Sequence, residues 1–362
     1  MGLLAISLTP PTGMWESIIF GMEGAVKHYA LALILVTVII KFIMVPFDFI
    51  NKLTSKKSAR KQAEMKPDLD KVNAKYANDK AMLNQKTMEV YKSHNYNVMG
   101  TCLGMVIYLI FTMVVFWTLF SSLNGISYYK IGDQYLQVRQ EYFATFGVDV
   151  TTLGDDETAY DAYKVIYDNL SQEDQEALTA EANAKALARY DETKTSFLWI
   201  ENIWLPDTTK NPVMKYDNFI EKSKISEKLV TEIEYDLVLD PIKDNERSNN
   251  GYFILAILAA GTNFLSITVN NMISKRKAKK QMIDPQLMGN GSNKLMSLIM
   301  PLIMGVFTLF YNAAFGLYIV SGALITLITS PLVTIFVDML EIESIKKEQN
   351  RTVAIYDRKR RK

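Results

Sequence analysis

The chain has 362 residues, 49% of them hydrophobic, and a formal net charge of +1. That length would ordinarily suggest two water-soluble domains. The apolar residues are instead gathered into about five blocks of membrane-spanning length, which predicts an all-α polytopic membrane protein. A single cysteine, Cys102, and two distant histidines, His28 and His94, exclude a disulfide frame and a Cys/His metal cluster. The phosphate-loop, dinucleotide, zinc-protease and nucleophile-elbow signatures are absent, so no enzyme, no metal and no cofactor are expected.

Residues 1–29 open with a weakly apolar piece and a Pro10-Pro11 break. They carry neither a charged leader nor a small-residue cleavage site, so a removed signal peptide is not read from them, and the sequence leaves N-terminal processing open. Trp15, Ile18, Ile19 and Met22 recur at helical spacing and predict an amphipathic helix lying in the interface. The first span, 30–50, follows in the run YALALILVTVIIKFIMVPF, with Lys41 near its middle. A lysine at the centre of a spanning helix costs roughly 2.5–3.5 kcal/mol on insertion scales, so its ammonium must be wet or paired. Either it serves a function in a hydrated cavity or it snorkels towards Asp48, Asn51 and Lys52, and the segment alone leaves both open.

Residues 51–97 are lysine-rich. Leu69, Val72 and Tyr76 form one narrow stripe and Leu83, Thr87, Val90 and Tyr91 another, with the helix-start signal Ala77-Asn78-Asp79 between them. A mobile antiparallel helical hairpin is expected, the plain alternative being a solvated connector. The second span, 98–120, contains Gly100 and Gly104 as a small-xxx-small pair.

Residues 121–250 form a long polar excursion. Within it, Ser171-Gln-Glu-Asp174 predicts the start of an alanine-rich helix running to about Tyr190. The piece FLWIENIWLPD, with Trp199 and Trp204, reads as a membrane-interface anchor, or otherwise as a small packed aromatic cluster. The third span, 251–272, carries Asn263, Ser266 and Asn270 on one stripe, which should face protein or water. A basic loop, 273–293, with the run Lys275 to Lys280, leads to the fourth span, 294–312, and the fifth, 314–337. Pro301, Gly305, Gly316 and Pro331 are candidate kinks, and Tyr311, Asn312, Tyr318 and Ser321 add polar groups. The tail, 338–362, ends in Arg358, Lys359, Arg360, Arg361 and Lys362.

The near-zero net charge hides a separation. Residues 51–97, 273–293 and 338–362 are net basic, whereas 121–250 is strongly acidic. By the positive-inside rule this predicts an N-terminus outside, a C-terminus in the cytoplasm and five spans in a plasma membrane.

In this order, TVIIKFIMVPF, a charged hairpin, QKTMEVYKSHNYNVMGTCLGM, FLWI and MPLIMGVFTLFYNAAFGLYIVSG make a sequence that resembles the YidC family of membrane protein insertases. The resemblance covers nearly all of the hydrophobic chain and the hairpin, but not about Gly125 to Thr195, which looks like an insertion. It implies a bacterial insertase and chaperone of the five-span form, whose helices surround a hydrophilic groove open to the cytoplasm. Lys41 falls where many members carry an arginine, and loses that residue's planar bidentate fork. Tyr108 stands where glutamine is common, Ile110 where proline is, and Ile319 replaces a tryptophan beside Tyr318 and Ser321.

The implied groove lining is Lys41, Thr37, Tyr108, Thr112, Asn263, Ser266, Asn270, Tyr318 and Ser321. Implied partners are nascent membrane proteins, with the ribosome and a Sec translocon as further ones. The basic tail is expected to meet ribosomal RNA without sequence specificity, or anionic lipid. Two rival readings are a transporter using Lys41 in an ion path, which would want acidic partners within other spans, and an assembly factor that does not translocate anything.

Overall fold

The computed structural model describes residues 8–153, 158–210, 213–245, 249–281 and 294–360. Side chains are described for all of these except 98–105, 244–245, 274–281, 294–297, 341–342 and 344–360. The described residues form eleven helices and no strand beyond an isolated bridge between Phe197 and Ile200. Four helical stretches are long and apolar enough to cross a membrane: Tyr29–Tyr76, Val106–Thr145, Ile254–Ile273 and Ala313–Leu340. The chain is therefore an all-helical polytopic membrane protein. A further apolar helix, Lys294–Phe310, has 17 residues, the lower end of spanning length. Gly100, Gly104 and the run Lys275 to Lys280 lie where side chains are not described.

Two compact units are built from interleaved pieces of chain. The first takes Met1–Val36, Trp117–Ala259 and Ile303–Val320. Helix α1 (Met14–Val26) tucks Ile19 inside, leaves Met14 and Ile18 exposed, and donates from Trp15 Nε1 to Thr118 Oγ1 at 3.0 Å. Helix α4 (Val98–Thr145) does not stop where the apolar sequence ends, but runs on into the polar excursion. There it meets α5 (Ala159–Tyr167), α6 (Gln172–Thr193), α7 (Tyr216–Ser223) and α8 (Glu232–Asn245). Each of α5 and α6 starts on a hydroxyl cap, Thr158 accepting from the Asp161 N–H and Ser171 from the Asp174 N–H, which satisfies donors that a helix start leaves orphaned.

The interior of this region is aromatic, with Tyr135, Phe219 and Tyr235 rings 4.6–5.1 Å apart, and it encloses one ion pair. Arg139 Nε donates to Glu234 Oε1 at 2.5 Å, with side chains 4% and 0% exposed. The Tyr160 N–H donates to the other carboxylate oxygen at 3.3 Å. Burial pushes the Glu234 carboxyl above the usual carboxylate range, although Arg139 and the Tyr160 N–H pull it the other way.

The segment FLWIENIWLPD does more than anchor. Trp204 is buried against Tyr29, ring centroids 4.5 Å apart, so it is a packed residue rather than an exposed belt. Its neighbours cap two helix starts. Asp207 accepts from the Tyr252 N–H at 2.8 Å and the Leu255 N–H at 2.6 Å, closing the start of α9 (Ile254–Gln281) from 48 residues away. The carbonyls of Leu205 and Ile203 accept from Ala313 and Ala314, the first residues of α11 (Ala313–Arg360). Asn202 and Asn250 bond each other reciprocally, Asn202 N–H to Asn250 Oδ1 at 2.8 Å and Asn250 Nδ2 to Asn202 O at 3.0 Å.

The second unit takes Thr37–Phe116, Ala260–Leu302 and Ser321–Lys362. Helix α2 (Tyr29–Tyr76) continues through Pro46 and Pro67 for 48 residues, about 72 Å, far more than a bilayer core of about 30 Å. Its distal part forms one arm of the hairpin, and α3 (Lys80–Ser93) returns as the other. Asp79 caps α3 by accepting from the Ala81 and Met82 N–H groups. The return is tied to α2 by few contacts: Tyr96 OH within 2.9 Å of Ser58 Oγ and 2.7 Å of Gln62 Nε2, Lys61 Nζ to Asn95 O at 2.9 Å, and His94 Nε2 with Asp68 at 3.2 Å. Hydrogen bonds from His94 and Lys71 hold the Asp68 carboxyl below the usual range.

The buried pair yields a prediction. Arg139→Met should destabilise the first unit by about 3–5 kcal/mol, because it strands Glu234 without a partner, while Arg139→Met with Glu234→Leu should recover most of the loss. Glu234's raised value sets the sign of the pH effect. The penalty on the single variant is smallest below the ordinary glutamate range and grows as pH rises through the raised value. Thermal unfolding of the detergent-solubilised chain across pH measures it; a single variant as stable as the parent at neutral pH would refute the pair's role.

Candidate functional site

The second unit holds a seam between α2 and α11. Thr37 and Lys41 are one helical turn apart and share a face of α2. Both reach α11 at Gly322. A Cβ at position 322 would stand 2.8 Å from Lys41 Cε, 3.4 Å from its Nζ and 3.7 Å from Thr37 Cγ2. The lysine can lie across α11 because residue 322 has no side chain. Thr37 is fully buried and Lys41 half-buried, with the half-buried Ser321 next along the chain from this crossing. The Lys41 ammonium has no hydrogen-bond or ion-pair partner among the described residues.

The same seam carries two further lysines, and both are neutralised. Lys52 Nζ lies 2.9 Å from Asp48 Oδ2 and donates to Ser330 O at 2.8 Å and Ser330 Oγ at 2.6 Å. Ser330 Oγ donates onward to Asn270 Oδ1 at 3.1 Å, and Asn270 Nδ2 to Ser266 O at 3.0 Å, which draws α9 into the network. One turn beyond, Lys56 is ion-paired with Asp338. Phe49 and Phe336 pack between these polar contacts, ring centroids 5.7 Å apart. Lys41 and Lys52 are separated by about 16 Å along α2, and Gly322 and Ser330 by about 12 Å along α11, so the two helices run parallel. Of the three seam lysines, the one deepest in the apolar sequence is the one without a counter-ion among the described residues.

The candidate residues therefore fall into groups. Thr37, Lys41 and Ser321 stand at the Gly322 crossing; Ser266 and Asn270 stand at the Lys52 end, with Asn263 half-buried one turn earlier on α9. Tyr108 and Thr112 come from α4. Thr112 Oγ1 donates to the Tyr108 carbonyl at 2.8 Å, and Tyr108 lines a cavity of about 340 Å³ with Phe47, Asn51, Thr54 and Phe111. Those α2 residues lie roughly a quarter to two-fifths of a turn round the helix from Lys41. Tyr318 is buried in the first unit, its ring 6.1 Å from Phe315. The side chains of Arg358, Lys359 and Arg360, and the whole of Arg361 and Lys362, lie outside the described residues.

Sequence reasoning missed Gly322, Lys52, Ser330 and the Lys56–Asp338 pair as parts of the site. The i,i+4 spacing of Asp48 and Lys52 was a visible signal of pairing; nothing in the sequence marks Gly322 as the residue opposite Lys41.

A family profile described as "60Kd inner membrane protein" matches residues 21–338. Among curated relatives, a Fusobacterium nucleatum protein named membrane protein insertase YidC is 38% identical over 98 residues, covering 27% of this chain and 46% of its own length. The protein of that name from Clostridium tetani is 33% identical over 99 residues, 27% of this chain and 43% of its own. One from an Anaeromyxobacter species is 35% identical over 105 residues, 28% of this chain and 18% of its own. The match thus spans less than half the length of these relatives. No solved structure matches the chain. Since the profile runs through most of the sequence, from α1 to the Asp338 end of the seam, the chain belongs to the YidC family of 60Kd inner membrane proteins.

Proposed function

We propose that this protein is a membrane protein insertase, which takes nascent membrane proteins and passes their polar ends across the bilayer while releasing their apolar segments into lipid. The observation that carries the reading is the unneutralised Lys41 laid across Gly322 in a seam whose other lysines are paired. An ammonium in apolar sequence without a counter-ion needs water, so the reading includes a hydrated groove at this crossing. Water there shortens the low-dielectric path of a polar substrate segment. The lysine attracts acidic groups on that segment, by about 1 kcal/mol at 4 Å in a watery setting and about 4 at a surface-like effective dielectric. Burying about 20 apolar residues in lipid supplies the driving force, so the reading needs no nucleotide site and is not enzymatic.

The proposed orientation puts the N-terminus outside and the C-terminus in the cytoplasm of a bacterial cell membrane. The parallel course of α2 and α11 supports it, since their basic ends lie on one side, tied by Lys56 and Asp338. In this orientation the hairpin receives the incoming chain. The tail, including Arg358 to Lys362, meets the ribosome or anionic lipid, and a Sec translocon is a further partner for some substrates.

In proteoliposomes, Lys41→Glu should reduce insertion of a single-span substrate with an acidic translocated tail by about tenfold, corresponding to about 1.4 kcal/mol, with a much smaller effect on a neutral tail. Equal loss on both tails would refute the electrostatic role. Gly322→Leu should mimic this selectively, because the new side chain occupies the space of Lys41 Cε, while helix propensity at 322 improves by up to about 1 kcal/mol. A stable Gly322→Leu protein with parental insertion of acidic tails would count against the crossing as the working site.

A further inference from the structure

A second cavity, of about 480 Å³, lies in the first unit where α4 leaves its apolar sequence. Its lower wall is Trp117, 66% exposed, and Phe120; Asn124, Gly125 and Tyr128 continue the wall along α4. Leu8, Thr9 and Pro11 of the N-terminal segment add a further side, α7 and its C-terminal cap supply Lys222 and Lys224, and the described lining includes no carboxylate. That is notable in the most acidic stretch of the chain. Lys222 Nζ sits 5.3 Å from the Tyr128 ring centre, and Lys224 is held in the left-handed region, φ 60°, by its N–H bond to Ile220 O at 3.2 Å. Asn124 Oδ1 accepts from Asn312 at 2.8 Å, which turns the Asn124 amide donors away from Asn312.

We infer that this cavity binds an anionic phospholipid of the leaflet facing the 121–250 region. The argument is one of matched chemistry. Tryptophan favours the level of headgroups, two lysines and an asparagine line the cavity, and Trp117 and Phe120 give it an aromatic wall. The volume suits a glycerophosphate headgroup and the start of its chains, and is too small for a folded partner. The lysines select negative charge, the aromatic wall takes the acyl chains, and the bound lipid fastens α7 to α4. This site is separate from Lys41 and does not depend on the insertase reading.

Native mass spectrometry of the full chain, released from nanodiscs containing equal phosphatidylglycerol and phosphatidylcholine, tests the inference. The parent should retain one phosphatidylglycerol in preference to phosphatidylcholine. Lys222→Gln with Lys224→Gln should lower that retention about tenfold. Gly125→Leu should abolish it without removing charge; a Cβ at 125 meets nothing within 4 Å, and leucine is the better helix former, so the fold should persist with an unchanged unfolding temperature. Should Gly125→Leu fail to fold, the lysine pair decides. Equal retention of both lipids, retention unaffected by either change, displacement by millimolar inorganic phosphate, or binding of an acidic peptide in place of lipid would each overturn the inference.

Discussion

An ammonium group within an apolar helix cannot stay dry, and the α2–α11 seam is built under that constraint. Lys52 and Lys56 meet it in the usual way, through Asp48, Ser330 and Asp338, and so make little demand on solvent. Lys41 meets it differently. Gly322 gives it room to cross α11, Thr37 packs beside it, and no acid comes to it among the described residues. A paired lysine would be spent on holding two helices together. An unpaired one keeps its field available to whatever enters the seam.

The same logic explains why the α2–α11 contact is polar at one end and narrow at the other. Asn270 and Ser330 extend the Lys52 pair into a chain of hydrogen bonds reaching α9, and in a membrane each such group needs a partner because lipid offers none. These contacts fasten the helices near the hairpin. A glycine at the Lys41 crossing does the opposite, removing a side chain that would otherwise fill the gap. The seam is thus cross-linked by polar contacts where its charges are neutralised, and packed only by the lysine stem against glycine where its charge is not.

Features governed by local chemistry were legible in the sequence. The all-helical class, the turn at Asp79, the Ser171 cap and the place of Lys41 within an apolar run all follow from patterns a few residues long. What escaped was set by register between distant segments. Gly322 matters only because α2 and α11 are parallel and offset so that it faces Lys41, and no local signal states that offset. Tyr108 shares a cavity with Phe47, Asn51 and Thr54 of α2, a neighbourhood that likewise depends on how α2 and α4 are placed rather than on a local pattern. FLWIENIWLPD looked like an interface anchor because aromatic residues next to a proline read alike whether exposed or packed; only the structure reveals Asp207 and the 203 and 205 carbonyls capping α9 and α11.

The first unit obeys a related constraint at larger scale. Helix α9 begins where chain returns from the polar region and α11 at the short turn after α10 (Lys294–Phe310), and a helix start carries orphaned N–H groups that are costly beside lipid. α11 has a local cap, Asn312 Oδ1 accepting from the Phe315 N–H at 2.8 Å, but both helices also take acceptors from the single segment 203–207, which is itself held by Asn202, Asn250 and the buried Trp204. One segment therefore sets the starting position of both helices. The loop that first reads as a surface anchor therefore belongs to the determinants of where both helices begin.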